Sequence, residues 1–92
     1  MLMHIETLNQ YHRNALDILG IESYLMSQER EIIHSKFTLT YIQDGVWQGD
    51  KVSLYWVMDK HGRPVRKSIC RNHIEILRME YDRRGNPFIR PE

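Results

Sequence analysis

Val52-Ser53-Leu54-Tyr55-Trp56-Val57-Met58-Asp59-Lys60-His61-Gly62-Arg63-Pro64-Val65 is the stretch from which the fold can be read. Val52, Leu54, Trp56 and Met58 alternate with Ser53, Tyr55 and Val57, the period of a strand with one buried face. The next six residues change character. Asp59 can accept from backbone amides two residues on, and Gly62 supplies a positive φ. Pro64 suits only a position that owes the sheet no donor. The same order returns at Asp82-Arg83-Arg84-Gly85-Asn86-Pro87, and a hydrophobic residue follows each proline, Val65 and Phe88. Two hairpins are expected: about residues 51–58 with 65–70, and about 74–81 with 87–90. The repeat is too short for a solenoid unit, so shared turn chemistry accounts for it.

On either side of this stretch the pattern is still readable. Phe37, Leu39 and Tyr41 alternate with Thr38, Thr40 and Ile42, residue types that suit a half-buried strand. Asp44-Gly45 and Gly49-Asp50 read as turns. Residues 71–81 read two ways. Asn72 could cap a helix bearing Ile74, Leu77 and Tyr81, or a short turn at 71–73 could lead into a strand on which Leu77, Met79 and Tyr81 share a face. The hairpin signal directly after Tyr81 favours the strand.

Before Lys36 the period is 3.6. Ile5, Leu8, His12, Ala15, Leu16 and Leu19 fall on one helical face, and Thr7 with Gln10 fits a capping box. Gly20 stands where a left-handed residue could end that helix. A second amphipathic stretch with Ile21, Tyr24, Leu25, Ile32 and Ile33 follows, with Ser23 or Ser27 as its cap. The alternative is one helix running through Gly20, at a cost of about 1 kcal/mol for the glycine. The expected architecture is a single α+β domain. An N-terminal helical segment of one or two helices (about residues 4–34) packs on an antiparallel β-meander of four to five strands (about residues 36–90). The sheet could curl into an SH3-like barrel.

Composition bounds the class. The chain has 92 residues, 41% of them hydrophobic and 27% charged, as in ordinary globular domains. Cys70 is the single cysteine, so no intramolecular disulfide is available. No basic segment followed by an apolar run marks a signal peptide at the start. The longest strongly apolar run, Val52 to Met58, falls far short of a membrane span. A cytoplasmic location without membrane contact is expected.

The net charge of +1 hides an asymmetry. Residues 1–50 hold three basic against seven acidic side chains, and residues 51–92 hold ten against five. Such bipolarity can steer a partner, or dock the two halves of the chain on each other.

No arrangement of residues names a reaction. Cys70 and His73 form a Cys-x-x-His pair, but with His61 as the one plausible further ligand, a closed four-ligand zinc site is not expected. No metal or other cofactor is called for. Five histidines (His4, His12, His34, His61 and His73) invite acid–base chemistry, yet no spacing forces two of them together. His34 should lie near a helix C-terminus and His61 at a hairpin tip. An enzyme, such as a small nuclease using His61 or His73 with Arg66 and Arg71, is the least favoured class.

The hairpins are more informative. Lys60, Arg63, Arg66, Lys67, Arg71, Arg83 and Arg84 could form one arginine-rich surface for phosphates. Tyr55 and Trp47 could stack beside it. Trp47 lies between turn signals, which makes it either an exposed anchor for a protein partner or a side chain that folds back over the sheet. Trp56 is expected in the core with Val52 and Leu54.

The leading expectation is a small non-enzymatic protein that binds a protein, or a protein–nucleic-acid machine, stoichiometrically as a regulator or inhibitor. Compact accessory proteins of phages and plasmids share this general look, with no motif that names a family. The alternative is direct DNA or RNA binding through the basic hairpins. A homodimer is open to either.

Overall fold

The structure is a computed structural model and describes residues 17–88. The proposed capping box at Thr7 and Gln10, the helix face from Ile5 to Leu16, and His4 and His12 lie outside them. Residues 17–26 form a helix, α1. Six strands follow: β1 (Glu31–His34), β2 (Thr38–Trp47), β3 (Asp50–Asp59), β4 (Pro64–Arg71), β5 (Ile74–Tyr81) and β6 (Pro87–Phe88). They make one antiparallel sheet in chain order, a pure meander.

The helix packs on one face of this sheet. Ile18, Ile21 and Leu25 recur at the three- and four-residue spacing of one helical stripe. Ile21 and Leu25 are fully buried with Val52, Leu54 and Ile69 of β3 and β4. Ile18, Tyr24, Trp47, Trp56, Ile76 and Leu77 surround that cluster. The sheet alternation follows the registers. Gln43 lies opposite Leu54 and Leu54 opposite Ile69. Directly paired residues share a face, so each row presents its set to the helix. A bulge at Ile69/Cys70 leaves Ile76 without a partner across β4, and Ile76 and Leu77 both pack on the core.

Both hairpin turns follow the sequence reading. Asp59 Oδ1 accepts from the amides of His61 (2.8 Å) and Arg63 (2.9 Å), and Asp82 Oδ1 accepts from those of Arg84 (2.9 Å) and Asn86 (2.8 Å). Gly62 and Gly85 take φ of 81° and 84°. The ambiguous residues after Arg71 form a two-residue turn, with Asn72 and His73 both at positive φ, and then β5.

The departures from expectation have identifiable physical causes. The sheet has six strands, because Glu31–His34, read as helical, is β1 and pairs with Leu39 to Ile42. Adjacent β-branched Ile32 and Ile33 suit a strand better than a helix. His34 therefore ends a strand and not a helix. The helix stops at residue 26, where Ser27 N and Gln28 N donate to the carbonyls of Tyr24 and Leu25 and Ser27 Oγ caps the Tyr24 carbonyl at 2.6 Å. Ser27 thus serves the end of a helix, not the start of a second one.

The helix runs through Gly20, the alternative considered above. A Cβ there would lie 3.1 Å from the Trp47 ring, so the glycine makes room for tryptophan. Leu19, placed on the apolar stripe, is 63% exposed. Asp44-Gly45 is no turn but the middle of β2, and the glycine admits the Tyr24 phenol, which would overlap any Cβ. The barrel does not close. β1 and β6 are not hydrogen-bonded to each other, and at four and two residues they are short for a closing seam.

Candidate functional site

The basic residues of the C-terminal half do not form one surface. Lys67 projects toward the helix: its Nζ lies 2.7 Å from Glu22 Oε1 and 5.5 Å from the centre of the Trp56 ring. Arg71, on the same face, pairs with Asp50 at 2.8 Å and Asp17 at 3.5 Å. Asn72 adds to this knot. Its Nδ2 donates to Asp50 Oδ1, and its Oδ1 accepts from the Lys51 amide. The Asn72 and Arg71 hydrogen bonds hold the Asp50 carboxyl below the usual carboxylate range. Part of the charge asymmetry therefore docks the acidic helix on the basic strands.

Trp47 belongs to the same helix-side packing. Its ring sits 5.8 Å from that of Tyr24, tilted by 47°, and its Nε1 is buried without an acceptor. It folds back over the sheet instead of standing free. Tyr24 Oη accepts from the Val46 amide at 3.0 Å. Gln43, which the sequence reading passed over, is buried on this face and donates to the carbonyls of Met26 (3.1 Å) and Gln28 (2.9 Å). A glutamine in an alternating strand looks like a solvent residue, and only its buried row reveals the clamp.

The second face of the sheet carries no helix among the described residues. One row runs Ile33, Thr40, Val57, Arg66, Glu80, Phe88, and the next Glu31, Ile42, Tyr55, Ser68, Arg78. Tyr55 thus lies near the middle of this open face. Beside it a groove of about 560 Å³ is lined by Asp44, Val46, Lys51, Ser53, Tyr55, Cys70 and His73, with Gly45 and Val52. Ser68 is buried and donates to Glu75 Oε2. That bond, joined by Arg78 and Arg66, holds the Glu75 carboxyl below its usual range. Arg66 Nε is buried without an acceptor.

Burial, with the Glu75 charge adding to it, pushes the Cys70 thiol up. Cys70 is therefore kept as a thiol, the poorer nucleophile and ligand. Among the described residues no cluster of histidine, cysteine and carboxylate could hold a metal ion. His61 and His73 sit in turns at opposite ends of the sheet, and Arg66 and Arg71 lie on opposite faces, so the postulated nuclease set is not assembled.

The remaining basic residues fall at one end of the sheet, where Arg63 Nε lies 3.5 Å from Asp59 Oδ2. In a meander, alternate turns fall at the same sheet end, so the β3–β4 and β5–β6 tips emerge together. They carry Lys60, Arg63, Arg83 and Arg84, and a groove of about 430 Å³ runs between them. Lys36, at the β1–β2 turn, is brought to the same end by topology, which no local pattern foretold. Among the described residues no helix is long and apolar enough to cross a membrane. Compared with family models, curated proteins and solved structures, the chain matches none of them.

Proposed function

We propose that this is a non-catalytic binding protein that contacts a protein partner stoichiometrically, alone or within a protein–nucleic-acid machine, as a regulator or inhibitor. The observation that carries this reading is the composition of the open face. Ile33, Ile42, Val46, Tyr55 and Val57 lie over β1 to β3 with Glu31, Thr40, Asp44 and Ser53 among them, and Arg66, Glu75, Arg78 and Glu80 of both signs lie beside them on β4 and β5. Ile33 and Val46 are 47% and 60% exposed.

Apolar area next to mixed charge suits a protein surface, with its apolar centre and polar rim. A phosphate backbone asks for charge of one sign. Tyr55 is the aromatic type that anchors such contacts. Trp47 enters the reading as support for the sheet, since its ring packs against the helix side.

Two substitutions test the face. Tyr55→Arg and Val57→Glu, each in a protein that still melts cooperatively, should release a partner that the unaltered protein retains. Retention of that partner by both variants would move the contact elsewhere.

A further inference from the structure

We infer that the sheet end formed by the β3–β4 and β5–β6 turns is a binding site for single-stranded nucleic acid, separate from the open face. Three observations lead there. First, the two turns are built alike. Each aspartate Oδ1 is consumed by two amides of its own turn. The backbone closes each turn in the same way, from Asp59 N to Arg63 O (2.8 Å) and from Asp82 N to Asn86 O (3.0 Å). Each Oδ1 is therefore engaged within its own turn, while Asp59 Oδ2 lies 3.5 Å from Arg63 Nε. The hydrogen bonds from Arg63 and His61 hold the Asp59 carboxyl below its usual range.

Second, the charged side chains at this end are mostly cationic. The turn segments 35–37, 59–64 and 81–87 hold Lys36, Lys60, Arg63, Arg83 and Arg84 against Asp59 and Asp82. The two hairpin tips stand two strand spacings apart, about 10 Å. Third, the groove between them is lined by Arg63 and Arg83 together with Asp59 and Asp82, with Arg63 Nε 3.5 Å from Asp59 Oδ2, and by Pro64, Val65 and Tyr81. Arginines beside apolar lining suit a strand that alternates phosphates with bases; the Tyr81 ring there also stacks on Trp56 at 5.8 Å. An acidic peptide would satisfy the arginines and leave the apolar lining unused. A groove of about 430 Å³ is of small-ligand size.

The test is fluorescence anisotropy with a short unstructured labelled oligonucleotide across a salt series. The expected result is salt-sensitive binding that falls about tenfold or more in Arg63→Ala/Arg83→Ala, with the log–log salt slope flattening by about 0.7 for each phosphate that is no longer neutralised. Lys60→Ala/Arg84→Ala, at exposed tip positions, should weaken binding in the same direction and guards against misfolding of the first pair. Arg30→Ala/Lys51→Ala removes equal charge away from this end and should stay within about twofold. Three outcomes would overturn the inference. They are no binding at low salt, equal weakening in the control pair, or competition by duplex DNA or polyglutamate as strong as that by the single strand.

Discussion

Gly45 shows how one missing side chain positions an element. Tyr24 crosses from the helix to lie over Gly45, and its hydroxyl accepts from the next amide, that of Val46. An alanine Cβ at Gly45 would come within 2.8 Å of Tyr24 Cζ. Gly45→Ala should therefore destabilise the fold by about 1–3 kcal/mol in a urea titration, the usual cost of overpacking. Unchanged stability would show that Tyr24 does not hold the helix there. Cys70 gives a second prediction at this scale. With its thiol pushed up by burial, it should react with iodoacetamide near neutral pH more slowly than an unhindered cysteine, and its rate should rise at a pH above the usual thiol midpoint. Reaction as fast as glutathione would contradict that environment.

Between elements, the helix is held to the sheet by packing and by a few charges. The Lys67–Glu22 side chains are 12% and 19% exposed, sheltered enough for the pair to matter. Glu22→Gln should cost about 1–3 kcal/mol, because it leaves Lys67 charged and poorly paired. Glu22→Leu with Lys67→Met should cost less than that single change. A double variant worse than the single one would mean that the ion pair is itself stabilising.

Acid acts on carboxylates of the sheet and its turns. Asp50, Asp59 and Glu75 all have depressed carboxyl pKa values in the folded state. Their contribution is present above the unfolded carboxylate range, near pH 4, and is lost as pH falls through the lower folded values. The melting temperature should be flat from about pH 7 to 5 and should drop below about pH 4. A drop centred near pH 6 would point to histidine instead.

The two hairpins were legible because their determinants are local: an aspartate, a glycine and a proline in fixed order. The strand after Asn72 was legible for the same reason. Glu31–His34 was not, because a four-residue strand pairs through β2 and leaves no period of its own. Gly20 and Gly45 misled because each glycine answers to an aromatic ring distant in sequence, and glycine alone reads as punctuation.

At the scale of the whole molecule, the meander sorts residues that stand together along the chain. Seven basic residues, taken as one candidate surface, separate into Lys67 and Arg71 under the helix, Arg66 on the open face, and Lys60, Arg63, Arg83 and Arg84 at the sheet end. Hairpin position told which residues were tips. Which face a strand residue takes depends on register, and which tips meet depends on strand order, and neither is encoded locally. The docking of acidic helix on basic strand was foreseeable from charge by half-chain, while the choice of Glu22 for Lys67 was not. Tyr55 kept a place on a surface, and Trp47 took the packed alternative that its loop-like flanks had left open.

The most direct measurement of the central claim is a low-salt affinity capture from host lysate, with and without nuclease. The unaltered protein and Tyr55→Arg should be compared side by side, with the eluate weighed by native mass spectrometry. The account predicts one defined protein in fixed stoichiometry, retained after nuclease treatment and released by Tyr55→Arg. An eluate that nuclease empties, or a partner that binds Tyr55→Arg as well as the unaltered protein, would contradict it.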